Sequence, residues 1–158
     1  MPVRSTLDHM TSRDQLYARS GRALEICQLL EKEIGTALLA LDALMTKSHL
    51  QPNADNYLRL RDAIEKQTLG QSLKQMRERL KLQEDLEEVL QDALLARNTL
   101  AHHFFARHGL KVLEADGRSG MLQDLNELIT ALQHGYDLAG NVARALVEAV
   151  YAEAKNAV

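Results

Sequence analysis

Only two prolines occur in this chain, Pro2 and Pro52. A proline inside a helix removes an amide hydrogen and clashes with the preceding turn. A chain almost free of proline can therefore fold into helices of unusual length, and the apolar pattern uses that freedom. Leu16, Ser20, Ala23, Leu24, Cys27, Leu30, Ile34, Leu38, Leu41 and Met45 repeat with a helical period. Ser12 and Gln15 have capping-box spacing, so a helix is predicted over 13–47, with residues 1–11 as a flexible N-terminal tail. A second long stripe carries Met121, Leu125, Leu128, Leu132, Tyr136, Ala139, Ala143, Leu146 and Val150. It predicts a helix over 120–154 with Ser119 as its N-cap. Gly135 and Gly140 inside it lower helix propensity; they mark a close helix–helix approach or simply weak spots.

Shorter elements lie between. Ser48 to Asn56 holds Pro52 and several Asn and Asp residues, the composition of a loop. A short helix is predicted over 57–66. A second capping box, Thr68 with Gln71, opens another over 69–80. The stretch 110–120 reads as a short hairpin or an irregular loop, with Asp116-Gly117 as a turn signal. The expected fold class is all-α: an up-and-down bundle of four to five helices, three of them long and packed mostly antiparallel. One helical domain spans 12–158.

Composition narrows the function classes. The single cysteine, Cys27, excludes an internal disulfide and any multi-cysteine zinc site. A net charge of −3 does not suit a protein that coats itself in nucleic acid, though it permits a local phosphate site. No apolar run approaches the ~20 residues that cross a membrane, and the N-terminus has no apolar secretory segment. No membrane partner and a cytoplasmic location are the expectations.

The third long stripe carries the chemistry. In Leu86 to His108, LEEVLQDALLARNTLAHHFFARH, residues Leu86, Leu90, Ala93, Leu100, Ala101 and Phe104 form one apolar face when wound as a helix that Gly109 stops. Arg97 falls near the centre of that face, against the binary pattern. Glu31 falls inside the apolar stripe of the first helix. It is a candidate partner for Arg97, or it sits at the stripe edge and reaches water. Asn98 lies about a quarter turn from Arg97, and His102 is one turn beyond Asn98. Arg97, His102, His103, Arg107, His108 and Lys111 make one basic neighbourhood. His102, His103 and His108 have poor spacing for a metal, so no metal or other cofactor is expected.

Arg97-Asn98-Thr99-Leu100-Ala101-His102 resembles the Arg-polar-x-x-x-His signature of the HEPN superfamily, all-α domains that include metal-independent ribonucleases of toxin–antitoxin, defence and RNA-processing systems. The resemblance covers the motif helix closely and the rest only as helical architecture. It implies an endoribonuclease acting as a homodimer, with two motifs meeting at the interface. The 2′-hydroxyl of RNA would attack its own phosphodiester and leave a 2′,3′-cyclic phosphate. His102 would act as general acid/base, Arg97 would stabilise the phosphate, and Asn98 would orient either. His103 and Arg107 would contact substrate. An antitoxin or regulatory protein is an implied partner. In one branch the motif continues to a tyrosine that accepts nucleotides; here that position is Phe104. The alternative from the residues themselves is a non-catalytic helical dimer that acts as a scaffold or regulator and binds a protein or small ligand, with Arg97 as a structural ion-pair partner.

Overall fold

The computed structural model describes the backbone of residues 4–157 and the side chains of residues 13–157. Among the described residues the regular structure is entirely helical, with no strand: α1 (Arg4–Thr46), a 3-10 turn (Ser48–Leu50), α2 (Ala54–Glu65), α3 (Leu69–Arg79), α4 (Glu84–His102), α5 (Phe104–His108), a second 3-10 turn (Gly109–Leu113) and α6 (Ala115–Asn156). The chain is an all-α bundle with long helices. The described residues form six α-helices rather than four or five, because the motif segment is divided at His103.

α1 and α6 hold 43 and 42 residues, so each is roughly 60 Å long at 1.5 Å per residue. They pack together along their lengths, and they run parallel, not antiparallel. An Arg19 Nη2 hydrogen bond reaches Asn126 Oδ1 at 2.6 Å near one end, and Lys47 Nζ meets Glu153 Oε2 at 2.8 Å near the other. The two pairs are 107 and 106 residues apart in sequence, so the register is nearly constant. An even number of reversals explains the direction. α2 and α3 run back and forth along α1 and cancel; α4 and α5 then return the chain, and α6 rises beside α1 in the same sense.

The core follows the spacing of sevens that suits two helices packed along a shared axis. On α1, Leu16, Ala23, Leu30 and Ala37 are buried; on α6, Leu125, Leu132 and Ala139 are. Each fully buried leucine contributes about 2 kcal/mol from removal of apolar surface. α4 crosses α6 where Ala93 meets Gly135. A Cβ at Gly135 would overlap the Cβ of Ala93, so this glycine marks close approach and not a weak spot. A Cβ at Gly140 would meet only Glu33, at 3.9 Å.

Local signals place the shorter elements. Asn53 caps α2 by accepting from the amides of Asp55 and Asn56. Thr68 and Gln71 form the expected reciprocal box at the start of α3. Glu84, Asp85 and Glu87 fill the first turn of α4, where the helix dipole favours carboxylates. Gly109, with φ 51°, ends α5.

Four boundaries depart from expectation, the first being that α2 starts at Ala54, inside the stretch expected as a loop. α1 starts at Arg4, so the Ser12–Gln15 pattern lies inside the helix and part of 1–11 is helical. α6 starts at Ala115, so Ser119 is within it and not its cap. Residues 109–113 form a 3-10 turn in place of a hairpin. That turn lies against α6 so closely that a Cβ at Gly117 would overlap the Lys111 carbonyl oxygen. Arg118, buried to 2% exposure, donates from Nη1 to the Val112 carbonyl at 3.0 Å and ties the turn down.

Candidate functional site

Arg97 projects from the last two turns of α4 towards α1. Its Nε donates to Glu31 Oε1 at 3.1 Å, with side-chain exposures of 27% and 39%. The two charges that broke the apolar stripes of two separate helices are therefore partners. Each helix accepts an ionic residue at its core edge because the other supplies the opposite charge. The pair is open enough to water that its net contribution is within about 1 kcal/mol; its value is in fixing where the guanidinium sits. A second, longer contact runs from Arg97 Nη1 to Asn98 Oδ1 at 3.4 Å. The Asn98 carboxamide oxygen is thus turned to Arg97 and not to His102.

Cys27 lies one turn before Glu31 on α1 and is buried. Its thiol is pushed up to about 11, first by burial and then by the neighbouring Glu31 carboxylate, with Arg97 acting in the opposite direction. The thiol is neutral around pH 7 and is a packing residue beside the ion pair, as its place on the apolar stripe suggests.

His102 is the last residue of α4 and is exposed. His103 has φ −129° and ψ −24°, outside the helical range, and the helix breaks there. The residues that follow no longer share the faces of α4, so the single stripe from Leu86 to Phe104 does not exist as one surface. Ala101, expected on it, is exposed, while Phe104 is buried through α5. The His102 and His103 rings meet edge to face, with centroids 6.1 Å apart. Arg107 is exposed on α5. His108 turns away from this group: its Nε2 lies 3.1 Å from Asp124 Oδ2 on α6, and its ring packs against Phe104.

The structure thus joins Arg97, Asn98 and Glu31 by direct contacts. It leaves His102 and His103 as an exposed pair one turn further along, with Arg107 on the next helix. A cleft of about 410 Å³ among α1, α2 and α3 reaches Glu31 but not His102. His102, His103 and Arg107 are exposed, while Arg97 and Asn98 are half-buried. Among the described residues, no group of three or more His, Cys, Asp or Glu side chains is placed to hold a metal ion. No helix of the described residues is long and apolar enough to cross a membrane.

Sequence reasoning missed two features here. Arg118 is a buried arginine, seven residues before Leu125 and so in register with the α6 core; that spacing was the available signal. Tyr17 and Phe105 stack across α1 and α5, a contact that no periodicity within either segment reveals. Comparisons with known protein families, curated protein sequences and solved structures found no match for the chain.

Proposed function

We propose that the chain is a metal-independent endoribonuclease of HEPN type, acting as a homodimer and serving as a toxin or defence effector. The observation that carries this reading is the arrangement at the end of α4. Arg97 is held in place by Glu31 through Nε, its guanidinium has further N–H donors to offer a phosphate, and His102 stands exposed one turn further on. The face of α4 that carries Asn98 and His102 also carries Leu95, which is 63% exposed. Leu95, Asn98 and His102 are spaced three and four residues apart and so line one side of the helix. A second copy packing on that side would bring two histidines to one cleft.

In this reading one His102 removes the proton of the 2′-hydroxyl, whose oxygen attacks the adjacent phosphorus. The His102 of the second copy gives a proton to the departing 5′-oxygen. The products are a 2′,3′-cyclic phosphate and a free 5′-hydroxyl. Arg97 stabilises the charge that grows on the non-bridging oxygens. Phe104 stands where one branch of the family carries a nucleotide-accepting tyrosine. It is buried and has no hydroxyl, so restraint by that modification is not part of the proposal.

The test is RNA cleavage by purified wild type beside His102→Ala with a chelator present, and with helicity and oligomeric state checked on both. The expected result is cleavage to cyclic phosphates by wild type, reduced by about 10² to 10⁴ in the variant, the usual worth of general acid–base catalysis. A well-folded wild-type dimer that cuts no RNA would end the proposal.

A second reading is favoured by the Glu31–Arg97 pair itself. An arginine already engaged by a carboxylate can act as a strut between α1 and α4 in a non-catalytic scaffold or regulator that binds a protein or small ligand. Arg97→Ala separates the two: loss of dimer or fold supports the strut, and loss of cleavage alone supports the nuclease.

A further inference from the structure

We propose that Tyr17 and Phe105 form a stacking platform for an unpaired base next to the cleaved phosphate, which makes single-stranded RNA the substrate class. The inference rests on the nuclease reading above and adds a binding subsite to it. Aromatic residues are scarce in this chain, with two Phe, four Tyr and no Trp. Two of the six nevertheless stand together at the surface. Tyr17 is 56% exposed and Phe105 is 45% exposed. Their rings lie 6.4 Å apart between centroids with an interplanar angle of only 23°.

The orientation of the pair is fixed from beneath. Phe104 is buried and meets Phe105 edge-on at 5.2 Å and 87°. Phe105 cannot turn inward, because its neighbour already fills the core position. Two stacked, near-parallel rings, each about half exposed, offer aromatic surface to any base, since every base has a π-face.

Position and charge favour nucleic acid over a protein partner. Phe105 follows His102 by three residues, so their Cα atoms are at most about 11 Å apart. The break at His103 turns the chain between them, which places the platform on α5 and the histidine at the end of α4. From Ala93 to Leu113 the chain has no Asp or Glu, yet holds Arg97, Arg107 and Lys111 beside the histidines. A chain of net charge −3 thus keeps its longest acid-free stretch around Phe105, and Arg107 and Lys111 are both exposed. Phosphates attract such a stretch while the rings take the base. A paired duplex hides its base faces, so the platform selects unpaired strands.

The test uses the full chain carrying His102→Ala, so that the strand is bound and not cut. A short labelled oligoribonucleotide is titrated as a single strand and in a duplex. Tyr17→Leu and Phe105→Leu remove the π-face and keep apolar bulk; Tyr17→Phe and Phe105→Tyr keep the ring. The expected result is preference for the single strand, binding weakened about ten-fold by either leucine, and binding retained by either ring-preserving variant. Melting temperature and oligomeric state are measured on each. Unchanged binding in the leucine variants overturns the platform and makes the rings a cover for the α1–α5 joint. A dimer that dissociates in the leucine variants, with binding per copy unchanged, assigns the surface to a second copy and also overturns it. Cleavage by the otherwise wild-type leucine variants separates the two levels. If wild type cuts RNA and these variants cut it equally well, the platform fails and the nuclease stands. If wild type neither binds nor cuts, both fail.

Discussion

Gly135→Ala tests the close crossing of α4 and α6. Two effects oppose each other. Alanine in a helix interior is favoured over glycine by about 1 kcal/mol. The new methyl, however, would overlap the Cβ of Ala93, and Leu30 Cδ2 lies 3.7 Å away on another side. Both contacts come from long helices, so neither backbone yields easily. Overpacking of this kind costs about 1–3 kcal/mol, and an overlap with a backbone-attached carbon belongs at the upper end. The net expectation is a loss of about 1–2 kcal/mol, which lowers the melting temperature by about 3–6 °C for a chain of this size. Thermal unfolding followed by far-ultraviolet circular dichroism measures it. Gly21→Ala is the control: nothing lies within 4 Å of a Cβ there, so the same exchange in α1 should stabilise by about 0.5–1 kcal/mol. Adding Ala93→Gly to Gly135→Ala moves the methyl across the crossing and should restore most of the loss, a coupling visible in the double-mutant cycle. A Gly135→Ala variant that melts at or above wild type would refute the reasoning. Because Ala93 lies one turn before Arg97, the displaced helix should also weaken the Arg97–Glu31 pair.

Two further expectations concern titrating groups. Cys27 is raised to about 11 by burial and then by Glu31, so native protein should react slowly with thiol reagents at pH 7 and quickly once unfolded; rapid labelling of the native form would contradict its placement. The folded state favours the neutral thiol, so that stabilisation is complete below the ordinary thiol value of 9.0 and is lost as pH rises towards about 11. Glu153 is held below the usual carboxylate range, first by its hydrogen bond from Lys47. Its contribution is present above that range and disappears as pH falls through the folded value. Lys47→Met should move the carboxylate titration, read by NMR, up towards the usual range, with His49 Nε2 at 3.2 Å still holding part of the depression; no movement would remove the pair from the solution structure.

The sequence made some of these arrangements legible and hid others. Glu31 and Arg97 could be read because each broke an apolar stripe, and two misplaced opposite charges in one small bundle have few ways to be satisfied. The Thr68 box was legible because both of its hydrogen bonds are local. The break at His103 was not, because it is decided by which phenylalanine enters the core. Ala101 and Phe104 fit one helical face on paper, yet α5 buries Phe104 while Ala101 faces water. Ser12–Gln15 failed as a helix start because capping chemistry states a preference that a continuing helix can ignore. The parallel sense of α1 and α6 was hidden as well. It depends on α2 and α3 being a pair that cancels, and the stripes of parallel and antiparallel helices look the same.

That parallel arrangement determines how the molecule carries force. The start of α1 and the end of α6 lie at opposite poles, roughly 60 Å apart along the bundle. Tension between those two points pulls α1 and α6 past each other along their common axis. The layers from Leu16 to Leu41 are then loaded together, and the ion pair of Lys47 with Glu153 with them. An antiparallel hairpin pulled at its two ends would open one layer at a time, like a zip. This bundle must slide as a whole before it yields, so it resists a lengthwise pull in the direction in which its helices are longest.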